Sequence, residues 1–149
     1  MAGAHPRLAI VTGGDSGIGR AVAVHFAREG ADIAIAYLDE DEDAATTKAA
    51  VEKEGRRCIA LSGDVSNPAF CAFLVKETLG AFGKLDILVN NAGVTRDNLL
   101  FKMTEDDWDI VMGVHLKGVF NMTKAAQSRF VEQKYGKILN LSSVSALGN

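Results

Sequence analysis

Thr12-Gly13-Gly14-Asp15-Ser16-Gly17-Ile18-Gly19 is the stretch whose residue types and spacing point most directly to chemistry. Leu8-Ala9-Ile10-Val11, just before it, is a short apolar run of the kind that forms a buried parallel strand. After it, Ala21, Val22, Val24 and Phe26 begin a helical pattern that ends at Arg28-Glu29-Gly30. A strand, a glycine turn and a helix N-terminus present free backbone N–H groups and the positive end of a helix dipole to an anion. The glycines let a diphosphate approach the backbone. The spacing is G-x-x-x-G-x-G, not the G-x-G-x-x-G of the general dinucleotide fingerprint. An ordinary glycine-rich turn between strand and helix is the alternative.

Further groups with chemical potential follow later apolar runs: Asp64-Val65, Asn90-Asn91-Ala92-Gly93 and Ser142-Ser143, with His115 on a long helical stretch. Each has a plainer counterpart. Asp64 can cap its own turn, Asn90-Asn91 can be a polar turn, and the serines can merely finish a strand. His115 can be a half-buried histidine on a packing helix, although imidazole titrates near neutrality and suits a proton relay.

The elements that must position these residues alternate regularly. Strands are predicted at Arg7–Val11, Asp32–Tyr37, Arg57–Leu61, Leu85–Val89 and Lys137–Leu141, after a short disordered lead from Met1 to Pro6. Helices are predicted at Gly17–Glu29, from the acidic run Asp39–Asp43 to Glu54, and from Asn67-Pro68 (an N-cap followed by proline at the first helical position) to Phe82. A long helix is predicted from Glu105 to Lys134, with an apolar stripe of Trp108, Val111, Met112, His115, Val119 and Met122. Such alternation makes a parallel sheet covered on both faces. The fold class is α/β, a Rossmann-like doubly wound sheet of order 3-2-1-4-5, with residues 1–149 forming one domain.

Composition agrees with an ordinary globular protein: 149 residues, 48% hydrophobic, 23% charged. A net charge of −3 gives no electrostatic reason to expect nucleic acid or an anionic membrane as partner. No apolar run approaches a membrane span, and no signal peptide precedes the first strand. Cys58 and Cys71 lack metal-site spacing and read as reduced core cysteines of a cytoplasmic protein, with no metal expected.

Taken together, the motifs resemble those of the short-chain dehydrogenase/reductases over essentially the whole chain: Thr12-Gly13-x-x-x-Gly17-Ile18-Gly19, Asp64-Val65, Asn90-Asn91-Ala92-Gly93 and Ser142-Ser143. The segments Asn91–Leu100, Val114–Gly118 and Leu141–Asn149 are similar to those of the 3-oxoacyl-acyl carrier protein reductases, whereas the first half resembles a less defined branch. The resemblance implies an NAD(P)-dependent oxidoreductase that reduces a 3-oxoacyl thioester or similar ketone to the hydroxy form. A non-catalytic dinucleotide-binding fragment or pseudo-subunit is the alternative. It further implies a small-molecule substrate, an acyl carrier protein or CoA as carrier, and a homo-oligomer built through the Glu105–Lys134 helix, whose Ile110, Val114 and Leu116 lie off the stripe.

By the same resemblance, Thr12, Gly13, Asp15, Ser16, Gly17, Ile18 and Gly19 hold the diphosphate, with Gly17 tightly approached. Asp64 accepts from the adenine amino group beside the Val65 backbone, and Asn90, Ala92 and Gly93 pass the ribose. The carbonyl-orienting serine falls on Ser143, or on Ser142 if counted back from Asn149. His115 stands where the family usually has the asparagine of a proton relay. At the end of strand two neither Tyr37 nor Leu38 supplies the usual acidic or basic residue, and Asp39 follows Gly19 by twenty positions. A nearby carboxylate and no placed cation lean the cofactor toward NAD over NADP. The family's acid is a tyrosine with a lysine four residues on. Tyr37 is followed at that spacing by Asp41 and Tyr135 by Leu139, so the chain is expected to be truncated before that pair, leaving strand five as an exposed edge.

Overall fold

The computed structural model describes residues 6–148, so all but Pro6 of the expected lead, and Asn149, lie outside the described residues. Five strands alternate with helices: β1 (Leu8–Thr12), α1 (Gly17–Arg28), β2 (Asp32–Tyr37), α2 (Asp41–Lys53), β3 (Cys58–Ser62), α3 (Pro68–Phe82) and β4 (Ile87–Asn90). After α4 (Glu105–Met112) a π-helical segment (Gly113–Gly118) runs directly into α5 (Val119–Glu132), and β5 (Lys137–Asn140) completes the sheet. The sheet is parallel throughout, in the order β3-β2-β1-β4-β5, as the sequence pattern predicts.

Strand periodicity sorts the core onto two faces. Leu8 and Ile10 of β1 pack with Leu74, Leu88 and Met122 beneath α3 and α5, whereas Ala9 and Val11 pack with Ala23, Ala27, Ile35 and Val51 beneath α1 and α2. All five residues of β1 are buried, which accounts for the uninterrupted apolar run in the sequence. Asn67 caps α3 by accepting from the Ala69 N–H at 2.9 Å, with Pro68 following and Gly83 closing the helix in the left-handed region. β1 has β2 on one side and β4 on the other, so the chain winds away in both directions from it. The crevice of such a sheet opens there, beyond the C-terminal strand ends.

Two expectations need correction. The acidic run does not open α2 at Asp39: the helix begins at Asp41, after a bend in which the Asp41 N–H reaches the Asp39 carbonyl at 3.0 Å. The long helix is not one α-helical period either. Trp108 is 59% exposed and His115 is exposed, while the buried positions are Gly118, Asn121, Met122 and Ala126. The wider π turn resets the phase of the stripe partway along. At the sheet edge β5 is exposed along its length, including Ile138 and Leu139. No helix among the described residues is long and apolar enough to cross a membrane.

Candidate dinucleotide site

The glycine turn is fixed from β4 as much as from β1. Thr12 is buried, and its hydroxyl donates to the Val89 carbonyl while accepting from the N–H groups of Asn91 and Ala92, each at 3.0 Å. The Asn91 amide returns two bonds, to the carbonyls of Thr12 (2.9 Å) and Gly13 (3.0 Å). Asn91 is therefore a site-building side chain that the sequence reading left out in favour of Asn90. Asn90 instead donates to the Asn140 side chain at 2.8 Å and ties β4 to β5.

Gly19 is where helix and turn come closest: a β-carbon there would lie 1.9 Å from the Gly13 carbonyl oxygen and 2.6 Å from the Asn91 amide nitrogen. The tight approach expected at Gly17 is not an internal contact. Gly17 faces open space and is needed for its φ of +51°, the left-handed region that side chains disfavour. Ile18 stands 66% exposed at the top of this turn, and the Ser16 hydroxyl donates to the Asp15 carboxylate at 3.2 Å.

An open cleft of about 180 Å³ lies over the strand ends. Gly13 and Asp15 line it from the turn, Tyr37 from the end of β2, Leu38 and Glu40 from beyond it, and Asp64 and Val65 from beyond β3. Ala92, Gly93 and Val94 close it from beyond β4, with Val114 beside them. Asp39 is absent from this lining and Glu40 takes its place, because the chain has already turned away at the bend before α2. Three carboxylates and no lysine or arginine line the cleft among the described residues. The Tyr37 hydroxyl donates to Asp41 at 2.7 Å; that bond, with some burial and the Asp41 charge, raises the phenol above its ordinary value.

Asp64 lines the cleft and also caps its own turn, accepting from the Ser66 N–H at 2.8 Å and the Ser66 hydroxyl at 2.7 Å. Behind it, the buried Asn121 amide donates to the carbonyls of Val65 (3.0 Å) and Ser66 (3.1 Å), and the Cys71 thiol donates to Val65 at 3.2 Å. Burial, reinforced by the Asp64 charge, pushes the Cys71 thiol up to about 11, so it stays a neutral donor. Asn121 carries no motif signature, and only its phase on α5 could have drawn notice to it.

His115 sits behind the other end of the cleft. Its Nε2 lies 3.0 Å from the Val94 nitrogen and 2.8 Å from the Val94 oxygen, and its ring comes so near Gly93 that a β-carbon there would meet Cε1 at 2.7 Å. Ser142 and Ser143 follow β5, exposed and outside the lining. The Ser143 hydroxyl accepts from the Ser145 N–H at 3.2 Å and caps a short turn at Val144–Leu147.

The comparisons with known proteins fit this geometry. A family model for short chain dehydrogenases matches residues 7–149. The 3-oxoacyl-[acyl-carrier-protein] reductase FabG of Staphylococcus aureus is 42% identical over 142 residues, 95% of this chain and 58% of that protein. The (2S)-[(R)-hydroxy(phenyl)methyl]succinyl-CoA dehydrogenase subunit BbsD of Thauera aromatica is 41% identical over 98% of this chain and 58% of that one. Among solved structures, a short chain dehydrogenase from Burkholderia cenocepacia in complex with NADP has a TM-score of 0.89 and 38% identity, covering 95% of this chain and 57% of the other. The chain thus spans little more than half the length of the relatives it matches. The lean toward NAD gains nothing from these relatives, since the solved one carries NADP. With the family match running from the first strand through Ser142-Ser143, and the sheet order and glycine turn agreeing, the chain belongs to the short-chain dehydrogenase family.

Proposed function

We propose that residues 1–149 form one dinucleotide-binding unit of an NAD(P)-dependent oxidoreductase acting on a 3-oxoacyl thioester. The observation that carries this reading is the glycine turn itself. Gly19 packs on Gly13, the turn is locked by Thr12 and Asn91, and it opens onto a cleft over the C-terminal strand ends, where ligands of such sheets bind. The free N–H groups of the turn and of the first turn of α1 suit a diphosphate. Asp64 and the Val65 backbone would take the adenine, and Ala92 and Gly93 the ribose nearer the reacting end. Bound there, a nicotinamide dinucleotide supplies the hydride.

Two relatives support the thioester: one named as a reductase of 3-oxoacyl groups on acyl carrier protein, the other as a dehydrogenase of a hydroxylated succinyl-CoA. Carrier protein and CoA are both candidates as carrier. Ser143, with Ser142 as its neighbour, is the proposed group for orienting the carbonyl, and the setting is cytoplasmic. The carboxylate-lined cleft favours NAD, because a ribose 2′-phosphate would meet Asp15, Glu40 and Asp64 with no cation among the lining residues.

A second reading, dinucleotide binding without turnover, has its own observation. The Tyr37 hydroxyl is already engaged by Asp41, and Ser142 and Ser143 stand outside the cleft lining. One experiment separates the two. Calorimetry with NADH and NADPH, followed by acetoacetyl-CoA reduction read from loss of reduced-nicotinamide absorbance, should show binding, tighter for NADH, and any turnover should be lost in Ser143→Ala. Turnover abolished by Ser143→Ala would overturn the non-catalytic reading, and failure of both dinucleotides to bind would overturn the whole proposal.

A further inference from the structure

One backbone oxygen in the glycine turn is held by an unusual number of donors. The Asp15 carbonyl accepts from Arg20 Nε at 3.0 Å, Arg20 Nη2 at 2.7 Å and the Thr47 hydroxyl at 2.7 Å. Arg20 Nε also donates to the Thr47 oxygen at 2.9 Å, and Nη2 to the Asp43 carboxylate at 2.7 Å. Neither Arg20 nor Thr47 lines the cleft. Thr47 is fully buried in the middle of α2. Two other threonines within helices bond back to their own helix: Thr46 donates to the Glu42 carbonyl and Thr78 to the Leu74 carbonyl. Thr47 turns away from its helix to reach the loop.

We infer that Thr47 and Arg20 are positioning residues for the anion-binding turn, drawing the Asp15 carbonyl back toward α2 and so turning the N–H that follows it toward a bound diphosphate. This rests on the dinucleotide reading above. The peptide between Asp15 and Ser16 is trans, so its carbonyl and its N–H point in opposite directions. Fixing the oxygen on the α2 side fixes the Ser16 N–H away from it. Without these donors the peptide can rotate and present a carbonyl oxygen to the anion, a repulsive contact where an attractive one is needed. Asp43 keeps the guanidinium in register, so that α2 supports with two side chains a cleft that none of its residues lines.

The test uses ADP-ribose, which carries the diphosphate without the reacting ring. Thr47→Val replaces the hydroxyl by a methyl of similar size, Thr47→Ser restores it, and Arg20→Lys keeps the charge but loses the fork. Val51→Ala, at a buried α2 position that does not touch Asp15, controls for general loosening of the helix. By calorimetry Thr47→Val and Arg20→Lys should each bind ADP-ribose about tenfold more weakly, with Thr47→Ser within about twofold of the parent. Val51→Ala should lower the melting temperature and leave affinity unchanged. Amide exchange at residues 14–18 should quicken in Thr47→Val and Arg20→Lys only. Parental affinity and exchange in both variants would overturn this inference and leave the dinucleotide reading standing. Absence of ADP-ribose binding by the parent would overturn both.

Discussion

The hydroxyl of Thr12 accepts the backbone N–H of Asn91, and the Asn91 side chain returns a bond to the Thr12 carbonyl, so the ends of β1 and β4 are locked reciprocally at the mouth of the cleft. Because Thr12 also serves the Ala92 N–H, one buried oxygen satisfies two donors. Thr12→Val would leave both without their partner. The expected loss of unfolding free energy is about 2–3 kcal/mol, measured by urea denaturation, and Thr12→Ser should recover most of it. Equal stability of the valine and serine variants would show that the lock contributes nothing.

The last two glycines of the motif should behave differently. At Gly19 a methyl group collides with backbone that has nowhere to go, so Gly19→Ala should disrupt the turn and abolish ADP-ribose binding. At Gly17 there is room but an unfavourable backbone conformation, so Gly17→Ala should fold with a penalty of about 1 kcal/mol. Calorimetry and thermal melts on both variants check the contrast, and the reverse order of severity would refute it.

Much of this was legible because local signals agreed with the fold. Leu8–Val11 had to be buried on both faces, Asn67-Pro68 could start a helix but not continue one, and the alternation of runs dictated a parallel sheet. The π segment left no trace, since Gly113–Gly118 is compatible with an unbroken α-helix, and the packing of Gly118 on Val65 and of His115 on Gly93 that accompanies the wider turn is long-range. Arg20 and Thr47 escaped notice for a different reason: an arginine on a helix and a threonine in one are ordinary residues until the two helices are side by side. Asn90 and Asn91 are neighbours in one polar run, and only the alternation of the chain assigns one to the contact between β4 and β5 and the other to the turn.

Acid should weaken the opposite end of the sheet. Asp32 is buried at the start of β2, 2.6 Å from Arg56 Nη2 and 2.6 Å from Arg57 Nη2. Burial pushes its carboxyl up, but the hydrogen bonds from the Arg57 side chain and backbone, with both arginine charges, outweigh it, and the net shift is below the usual 3.8. A folded value lower than the unfolded one means the contribution to stability is fully present above 3.8 and is lost as pH falls through the folded value. Urea unfolding of the parent should therefore weaken on acidification below the unfolded value. Asp32→Asn should be less stable at neutral pH and lose less on acidification. Parallel pH profiles for parent and variant would count against this account.

The outer face of the π segment and α5 should self-associate. Leu116 and Phe120 are 62% and 61% exposed there, a turn apart, and the preceding α4 adds Trp108. Exposed apolar groups this large are what a self-association surface would offer. Leu116→Lys with Phe120→Lys is expected to shift sedimentation toward monomer while leaving ADP-ribose affinity intact. A monomeric parent would remove the basis for assembly through this face.

His115 gives the last expectation, because its one ring nitrogen near Val94 can serve either the N–H or the carbonyl but not both at once. In either state the ring holds the segment that lines the cleft beside Gly93, and a relay role would require Nε2 to leave Val94. The prediction is that His115 acts by holding this segment. His115→Leu, which fills the space without a polar atom, should speed amide exchange at Val94 and weaken NADH binding about threefold, in keeping with loss of one exposed hydrogen bond. His115→Asn offers both a donor and an acceptor and should retain slow exchange. If leucine leaves exchange and affinity at parental values, the ring is not holding the loop, and its nitrogen is free for the proton-transfer role.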